Sequence, residues 1–148
     1  MANHLRRQIR EQVASTVGSL ATTGSRVYQS RVYPLAAANL PGLLIYTTSE
    51  TSTVDQMGSQ PQLARFLNLV IEGYAKGASS VDDTLDGIAK EVEIAMAADT
   101  TINSLAVDSN LETTDVSFSG EGEQPVGVIT MNYLVQYRTT NDAPDVAV

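Results

Sequence analysis

Few side chains in this sequence are suited to catalysis. The 148 residues include no cysteine and one histidine, His4, in an N-terminal segment that we expect to fray. Thiolate nucleophiles, thiolate zinc sites and iron–sulfur clusters need cysteine, and a catalytic triad or a multi-histidine metal site needs positioned histidines. No Gly-x-Ser-x-Gly elbow or Ser-x-x-Lys pair is present. The inventory argues against an enzyme, and we predict no catalytic residue, cofactor or metal.

Two groups of carboxylates remain as candidates. Asp82, Asp83 and Asp86 could hold a metal, but no Glu or carbonyl-rich loop follows at calcium-loop spacing. They suit the first turn of a helix better, where they complement the positive end of the helix dipole. Glu121 and Glu123 could act as an acid and a base. On an exposed turn, however, nothing would tune them for that role.

Glycines at 120, 122 and 127 suggest a phosphate-binding loop at first sight. Such a loop needs a helix N-terminus after it, and here a strand pattern follows instead. The neighbouring glutamates would also repel phosphate. A hairpin turn is the stronger interpretation.

Charge is distributed unevenly along the chain, whose formal net charge is −8. Residues 1–31 carry five arginines and one glutamate, a net charge of +4, whereas residues 32–148 carry four cations and sixteen acids, a net charge of −12. A net-acidic domain is a poor candidate for nucleic-acid binding. The basic segment could dock on an acidic surface of another molecule, or it could be the solvated face of a terminal helix.

The first secondary-structure element that the sequence predicts is a helix. An apolar stripe recurs every three or four residues and ends before Gly24; its members are Leu5, Ile9, Val13, Val17 and Leu20. With 43% hydrophobic and 18% charged residues, the chain is expected to form one globular domain over 1–148. Residues 1–9 do not read as a secretory signal, and no segment approaches the ~20 apolar residues of a spanning helix.

Three strand candidates follow, at 26–33 before Pro34, at 43–48 and at 62–76. The periodicity of 62–76 fits a helix as well as a strand. Residues 49–60 are mostly Ser, Thr, Gly, Glu, Asp and Gln, and we expect them to form a mobile loop because they bury too little apolar surface to offset their ordering entropy.

The second half of the chain predicts a helix and a hairpin. Ser80 is a candidate N-cap, and Glu91 and Glu93 should point outward. The apolar stripe of this helix comprises Leu85, Ile88, Ala89, Val92, Ala95 and Met96. A strand over 107–119 should be anchored by Leu111, Val116 and Phe118.

The turn of this hairpin should lie at 120–125, and strict alternation from Ile129 to Arg138 predicts a half-buried strand after it. Residues 141–148 should form a flexible tail. The order α-β-β-β-α-β-β indicates an α+β fold with a mainly antiparallel sheet of about five strands and two helices packed on it.

An ordered series of short segments carries a family resemblance. Its members are RVYP at 31–34, LPGLLIY at 40–46, EGYAK at 72–76, EVEIAM at 91–96 with Asp99, GEGEQP at 120–125 and YLVQYRT at 133–139. The series resembles the tail terminator (minor tail protein U-like) family of long-tailed bacteriophages over roughly residues 26–140. The order and spacing of the segments carry the match. The resemblance also favours a strand for 62–76.

The resemblance implies a virion structural protein of the tail neck, assembled in the host cytoplasm. Such a protein forms a hexameric ring that caps the head-proximal end of the tail tube, stops its elongation and presents the surface for head–tail joining. The implied partners are further copies of the chain, the tail tube protein and a head-completion or connector protein. DNA would pass through the ring without specific binding, and no membrane is involved.

The predicted subunit or tube interface combines the basic N-terminal segment with acids of the polar loop. Its members are Arg6, Arg10, Arg26, Arg31, Glu50 and Asp55. A cyclic ring needs a heterologous contact, in which one patch meets a different patch on the neighbour. Two alternatives stay open: another neck or head-completion protein, and a tail-tube subunit.

Overall fold

Five strands form a single sheet in the order β1-β2-β3-β5-β4. The computed structural model describes residues 3–29, 41–76, 81–119 and 126–148. The elements are α1 (Leu5–Thr16), β1 (Val27–Tyr28), β2 (Gly42–Gln56), β3 (Gln62–Lys76), α2 (Val81–Ala97), β4 (Asp108–Ser119) and β5 (Val126–Thr140). All neighbouring strands are antiparallel except β1, which pairs in parallel with β2. The predicted α+β class and element order are confirmed.

The register of β3 and β5 places their odd-numbered residues on one face. Leu67 pairs with Val135, and Ile71 pairs with Met131. Burial alternates along all of β5, as the period of two predicted. The buried side packs against both helices, so the core lies between the sheet and a single helix layer.

Apolar stripes on the two helices cover this face. Leu5, Ile9 and Val13 of α1 are buried, as the stripe predicted, but the predicted helix is too long, because α1 ends at Thr16, before Val17 and Leu20. The seat of α2 is close-packed, because a Cβ at Gly73 would lie 2.8 Å from Ile88 Cγ2. His4 is the N-cap of α1, and its Nδ1 accepts a hydrogen bond from the Arg6 backbone N–H at 3.1 Å. The expectation that this end frays is therefore wrong at His4.

Strand β3 has the predicted bounds 62–76. Within the predicted strand 26–33, the structure shows β1 at Val27–Tyr28. The expectations for Arg31 and Pro34, for the Ser80 cap and for the 120–125 turn lie outside the described residues.

The loop predicted for residues 49–60 is wrong for residues 49–56, which continue β2. After an irregularity between Thr47 and Glu50, the backbone pairs with β3 from Glu50–Leu67 to Gln56–Gln62. The loop was predicted from the low apolar content of these side chains, and that criterion takes no account of backbone hydrogen bonds. Backbone hydrogen bonds to a strand that is itself held by β5 stabilise these polar residues, and β-branched Thr and Val suit the extended conformation.

Three smaller expectations are also wrong. Val116 and Phe118 do not anchor β4 in the core but are exposed. Glu91 does not point freely outward, because its carboxylate accepts hydrogen bonds from the backbone N–H, at 2.8 Å, and the hydroxyl of Thr22. Residues 141–148 are docked: Leu5 N–H donates to the Pro144 carbonyl at 2.9 Å.

Candidate assembly interface

Strands β2 and β3 form a long antiparallel hairpin that extends to residue 56. Each strand has 15 residues, which corresponds to about 50 Å of extended chain. Most side chains beyond Thr47 on β2 are exposed. Val54 is exposed, and Met57, just after the strand, is 85% exposed. The distal hairpin thus presents two large apolar side chains, Val54 and Met57, to solvent.

A charged cluster holds the base of this hairpin segment to α1. Glu50 Oε2 accepts hydrogen bonds from Arg6 Nη1 at 2.8 Å and from Arg65 Nη1 at 3.2 Å, and its Oε1 accepts one from the Tyr137 hydroxyl. The side chains of Glu50 and Arg65 are only 9% and 11% exposed. The cluster therefore joins the N-terminal helix to three strands at a point where the apolar core ends.

Further contacts orient the cluster. Arg65 Nε donates to Thr139 Oγ1 at 3.0 Å, and its guanidinium carbon lies 5.9 Å from the centre of the Tyr137 ring. Burial, followed by the Glu50 carboxylate, raises the pKa of Tyr137. Burial and the neighbouring Arg6 lower the pKa of His4. The cluster thus brings two guanidinium groups and one phenol hydroxyl to a single carboxylate.

The predicted interface residues fall at separate places. Arg6 and Glu50 meet in the cluster just described, and Asp55 pairs with Arg138, whose Nε lies 3.0 Å from Asp55 Oδ2. Arg10 Nε donates to Gln29 Oε1 at 3.4 Å. These contacts are all within one chain.

Arg26 is also held locally. Its Nε donates to the Pro41 carbonyl at 2.7 Å, and its Nη2 donates to the Thr22 carbonyl at 3.1 Å. Arg31 lies outside the described residues. Arg10 and Arg26 are the described cations of this set whose printed partners carry no charge. Arg10, with one long contact to an exposed side chain, is better placed than Arg26, which is held by two carbonyls, to meet an acid on another molecule.

A groove separates α2 from the edge strand β4. Two adjoining cavities of about 240 and 470 Å³ lie along it, and Glu93 lines both. Ile94, Val116 and Ile129 line the larger cavity, and Tyr133 and Leu111 line the smaller. The helix packs over β3 and β5. On the helix-facing side of β4, Ser109 is buried, whereas Val116 and Phe118 stay exposed. The groove therefore borders the part of the sheet's apolar face that α2 leaves uncovered.

Acidic side chains rim this groove. Asp86 and Glu93 flank Lys90 along the larger cavity. Burial, with a smaller contribution from Glu93, raises the pKa of Tyr133 to about 12. The groove thus combines apolar walls with a net negative rim, which suits an apolar segment that carries a positive charge.

Both edges of the sheet are open over much of the described chain. Strand β1 pairs only with Leu43 and Leu44, and no described strand pairs with the outer edge of β2 beyond them. On the other side, β4 pairs only with β5 among the described residues. Neither β2 nor β4 contains Lys, Arg or Pro, which natural edge strands use to prevent pairing with other chains.

The structure shows neither a metal site nor a membrane-spanning helix in the part of the chain that it describes. No group of three or more His, Cys, Asp or Glu there could hold a metal ion. No helix there has the length and apolar character needed to cross a bilayer.

Sequence reasoning missed the two features that shape these surfaces. Arg65 and Tyr137 share the core face of their strands, and a charged residue at a core-facing position could have indicated the Glu50 cluster. The α2–β4 groove had no sequence signal, because Val116 and Phe118 have the pattern of buried residues. They are exposed because α2 does not extend far enough across the sheet to cover them.

Comparison with known proteins gives little further information. No protein-family model matches the chain, and no curated protein matches it. A chain in a solved structure described as the virion of a native gene transfer agent (GTA) particle is similar to it, with 13% sequence identity, a TM-score of 0.37, and coverage of 86% of this chain and 91% of that chain. A likeness at this identity and TM-score assigns neither a family nor a function.

Proposed function

We propose that this protein is a structural component of a phage-like virion that acts through its surfaces and catalyses no reaction. Within that class we propose a tail terminator, which forms a ring on the head-proximal end of the tail tube and stops its elongation. The ordered series of segments between 31 and 139 supports this role. So does the α+β fold, which the resemblance implies and the chain has.

The pair of open sheet edges is the observation that carries the proposal. The outer edges of β2 and β4 lie on opposite sides of one sheet and present backbone N–H and C=O groups. One edge of a subunit can therefore meet the other edge of its neighbour. Such a contact is heterologous, and repeated around an axis it closes a ring, which is how a small subunit can encircle a tube end.

The charge of the chain is consistent with a channel for DNA. The formal net charge of −8 disfavours binding to phosphates, and only nine Lys and Arg are present. DNA that must travel through a ring during packaging and ejection moves more freely past a surface that does not hold it. The head-completion or connector protein would dock on the opposite rim of the ring.

Tube polymerisation tests this role. Purified protein would be added to growing tail tubes at a small fraction of the tube-subunit concentration, and tube lengths would be measured by negative-stain electron microscopy. A terminator shortens the tubes and leaves a ring at one end. An equimolar amount of bovine serum albumin controls for nonspecific effects of added protein.

Other outcomes would contradict the terminator. Longer tubes that incorporate the protein would identify a tube subunit. Unchanged tubes, together with binding to the head connector, would identify a different neck protein. Both alternatives are structural, so each would correct the position of the chain in the particle while retaining the class.

A further inference from the structure

The exposed large apolar side chains concentrate in two patches. Eight such residues are exposed among those the structure describes, and five of them fall in these patches. The hairpin patch consists of Val54 and Met57. The groove patch consists of Ile94 and Val116, which line the larger cavity, and of Phe118, which is exposed two residues further along β4 and pairs with Gly127. Concentrated apolar exposure of this kind marks a contact surface.

Val54 of the hairpin patch lies on the same side of the sheet as Val116 and Phe118 of the groove patch, but at the opposite corner. Val54 pairs with Leu63, which pairs with Thr139, whereas Phe118 pairs with Gly127. Thr139 and Gly127 are both on the helix-covered side of β5 and lie twelve residues apart, which is about 40 Å along the strand. The patches cannot meet within one chain.

Charge differs between the two corners. Near the hairpin patch, Arg6 and Arg65 share the single carboxylate of Glu50, and the Arg6 side chain stays 39% exposed. The groove patch has the opposite character, because Asp86 and Glu93 outnumber Lys90 on its rim. The first turn of α2, next to this groove, adds Asp82 and Asp83. Asp55, next to Val54 in the chain, is paired with Arg138, so the arginine excess lies on the α1 side of the hairpin base at Glu50, whereas the rim of the groove is net negative.

We infer that the hairpin patch of one copy seats in the α2–β4 groove of a second copy. Met57 and Val54 enter beside Val116 and Phe118, and the Arg6 side of the first copy faces the acidic rim of the second. The contact is head-to-tail, since it joins different patches, and it leaves one free patch at each end of a dimer. This inference deepens the proposed ring and rests on that proposal for the closure of the ring.

Cross-linking tests the contact directly, because the chain has no native cysteine. Met57→Cys and Phe118→Cys would be combined in one chain and treated at high protein concentration with a short bismaleimide. We expect a ladder of covalent oligomers that ends at the size of the ring. The matched control combines Met57→Cys with Val148→Cys, an exposed residue outside both patches, and should give no ladder.

The two single variants separate a head-to-tail contact from a symmetric one. Met57→Cys alone and Phe118→Cys alone should each stay uncross-linked, whereas their equimolar mixture should give a dimer that contains one copy of each. Cross-linking of Phe118→Cys to itself would mean that two grooves face each other, and would overturn the inference. So would a double variant that yields no ladder.

Substitutions that introduce a negative charge into each patch give an independent test that needs no cysteine. Met57→Glu and Phe118→Glu lie at exposed positions, so circular dichroism should show both variants folded. Each alone should lose self-association in sedimentation velocity. A mixture should form a one-to-one dimer and nothing larger, because each dimer keeps one intact contact. Ring formation by either variant alone would contradict the contact.

Tube capping distinguishes the two proposals. If the cross-linked ladder forms but the wild-type protein leaves tube length unchanged, the contact stands and the terminator role is wrong. If the wild-type protein caps tubes and the double-cysteine variant gives no ladder, the role stands and the contact is wrong.

Discussion

Two distant corners of the sheet differ in whether the edge of the apolar core is covered or exposed. At the β2–β3 side, α1 reaches the end of the apolar core, and the Glu50 cluster closes it with Arg6, Arg65 and Tyr137. At the β4 side, α2 stops short, and Val116 and Phe118 stay open to solvent. Helix coverage, and not strand sequence, therefore decides which part of this sheet is core and which is surface.

The corner closed by the Glu50 cluster should contribute far more to the free energy of unfolding than the open corner at Val116 and Phe118. Glu50→Ala removes the carboxylate on which three side chains converge and leaves Arg65, 11% exposed, without it. We expect a loss of about 3 kcal/mol in the free energy of unfolding, because a nearly buried charge loses its partner. Urea denaturation followed by circular dichroism measures it.

Glu11→Ala is the matched control for that prediction. Glu11 accepts a hydrogen bond from Arg7 Nε at 2.8 Å, but both side chains are exposed. Its removal should change the free energy of unfolding by less than about 0.5 kcal/mol. Equal losses in the two variants would mean that burial of the Glu50 cluster does not matter.

The next largest loss of stability is expected where α2 packs against the sheet at Gly73. In Gly73→Ala, the new Cβ would lie 2.8 Å from Ile88 Cγ2 and 3.0 Å from Ile129 Cγ2. We expect destabilisation by about 2 kcal/mol, because α2 must shift away from the sheet. Thermal and urea unfolding measure the effect.

Gly87→Ala, within α2 itself, controls for the loss of a glycine. A Cβ at Gly87 meets nothing within 4 Å, so alanine should stabilise the helix by about 0.5–1 kcal/mol. Opposite signs for the two variants are the expected result. A stabilising Gly73→Ala would show that the packing of α2 on the sheet is loose.

Alkaline pH probes the tyrosine in the groove. The folded protein holds the pKa of Tyr133 near 12, above the ordinary value of 10, so folding favours the neutral phenol. The stabilisation is complete below pH 10 and disappears as the pH rises from 10 towards 12. In Tyr133→Phe, the free energy of unfolding should fall less steeply across that range. Identical pH profiles for Tyr133→Phe and the wild type would contradict the raised pKa.

The smallest effect is expected at the open corner. Val116→Ala should change the free energy of unfolding by less than about 0.5 kcal/mol, since this side chain is exposed in the single chain. Val135→Ala, the same change at a fully buried position of β5, should cost about 2 kcal/mol. A large loss in Val116→Ala at concentrations where the protein is monomeric would mean that the groove closes in solution.

Much of the fold follows from local patterns. The α2 stripe, the first part of the α1 stripe and the alternation of β5 were predicted, because each depends on a periodicity that one segment contains by itself. The bounds of β3 were also predicted, but its periodicity fitted a helix equally well, and the family resemblance favoured the strand. The distal half of β2 was not predictable in this way. Its polar residues are held by pairing with β3, a partner that the segment does not itself encode.

The candidate site was likewise predictable only in part. The sequence singled out Arg6, Glu50 and Asp55 through charge alone, and the structure places two of them in one ion pair and the third beside Arg138. It did not indicate the groove. Val116 and Phe118 alternate as core residues do, and whether such residues are buried depends on an element elsewhere in the chain.

Residue type and short-range spacing thus set the class of the fold, the apolar face of each element and the scarcity of catalytic groups. The placement of both helices on one side of the sheet, where they cover only part of it, became visible in the three-dimensional fold. Segments far apart in the chain compete for a limited apolar area, so no local pattern reveals which corner stays uncovered.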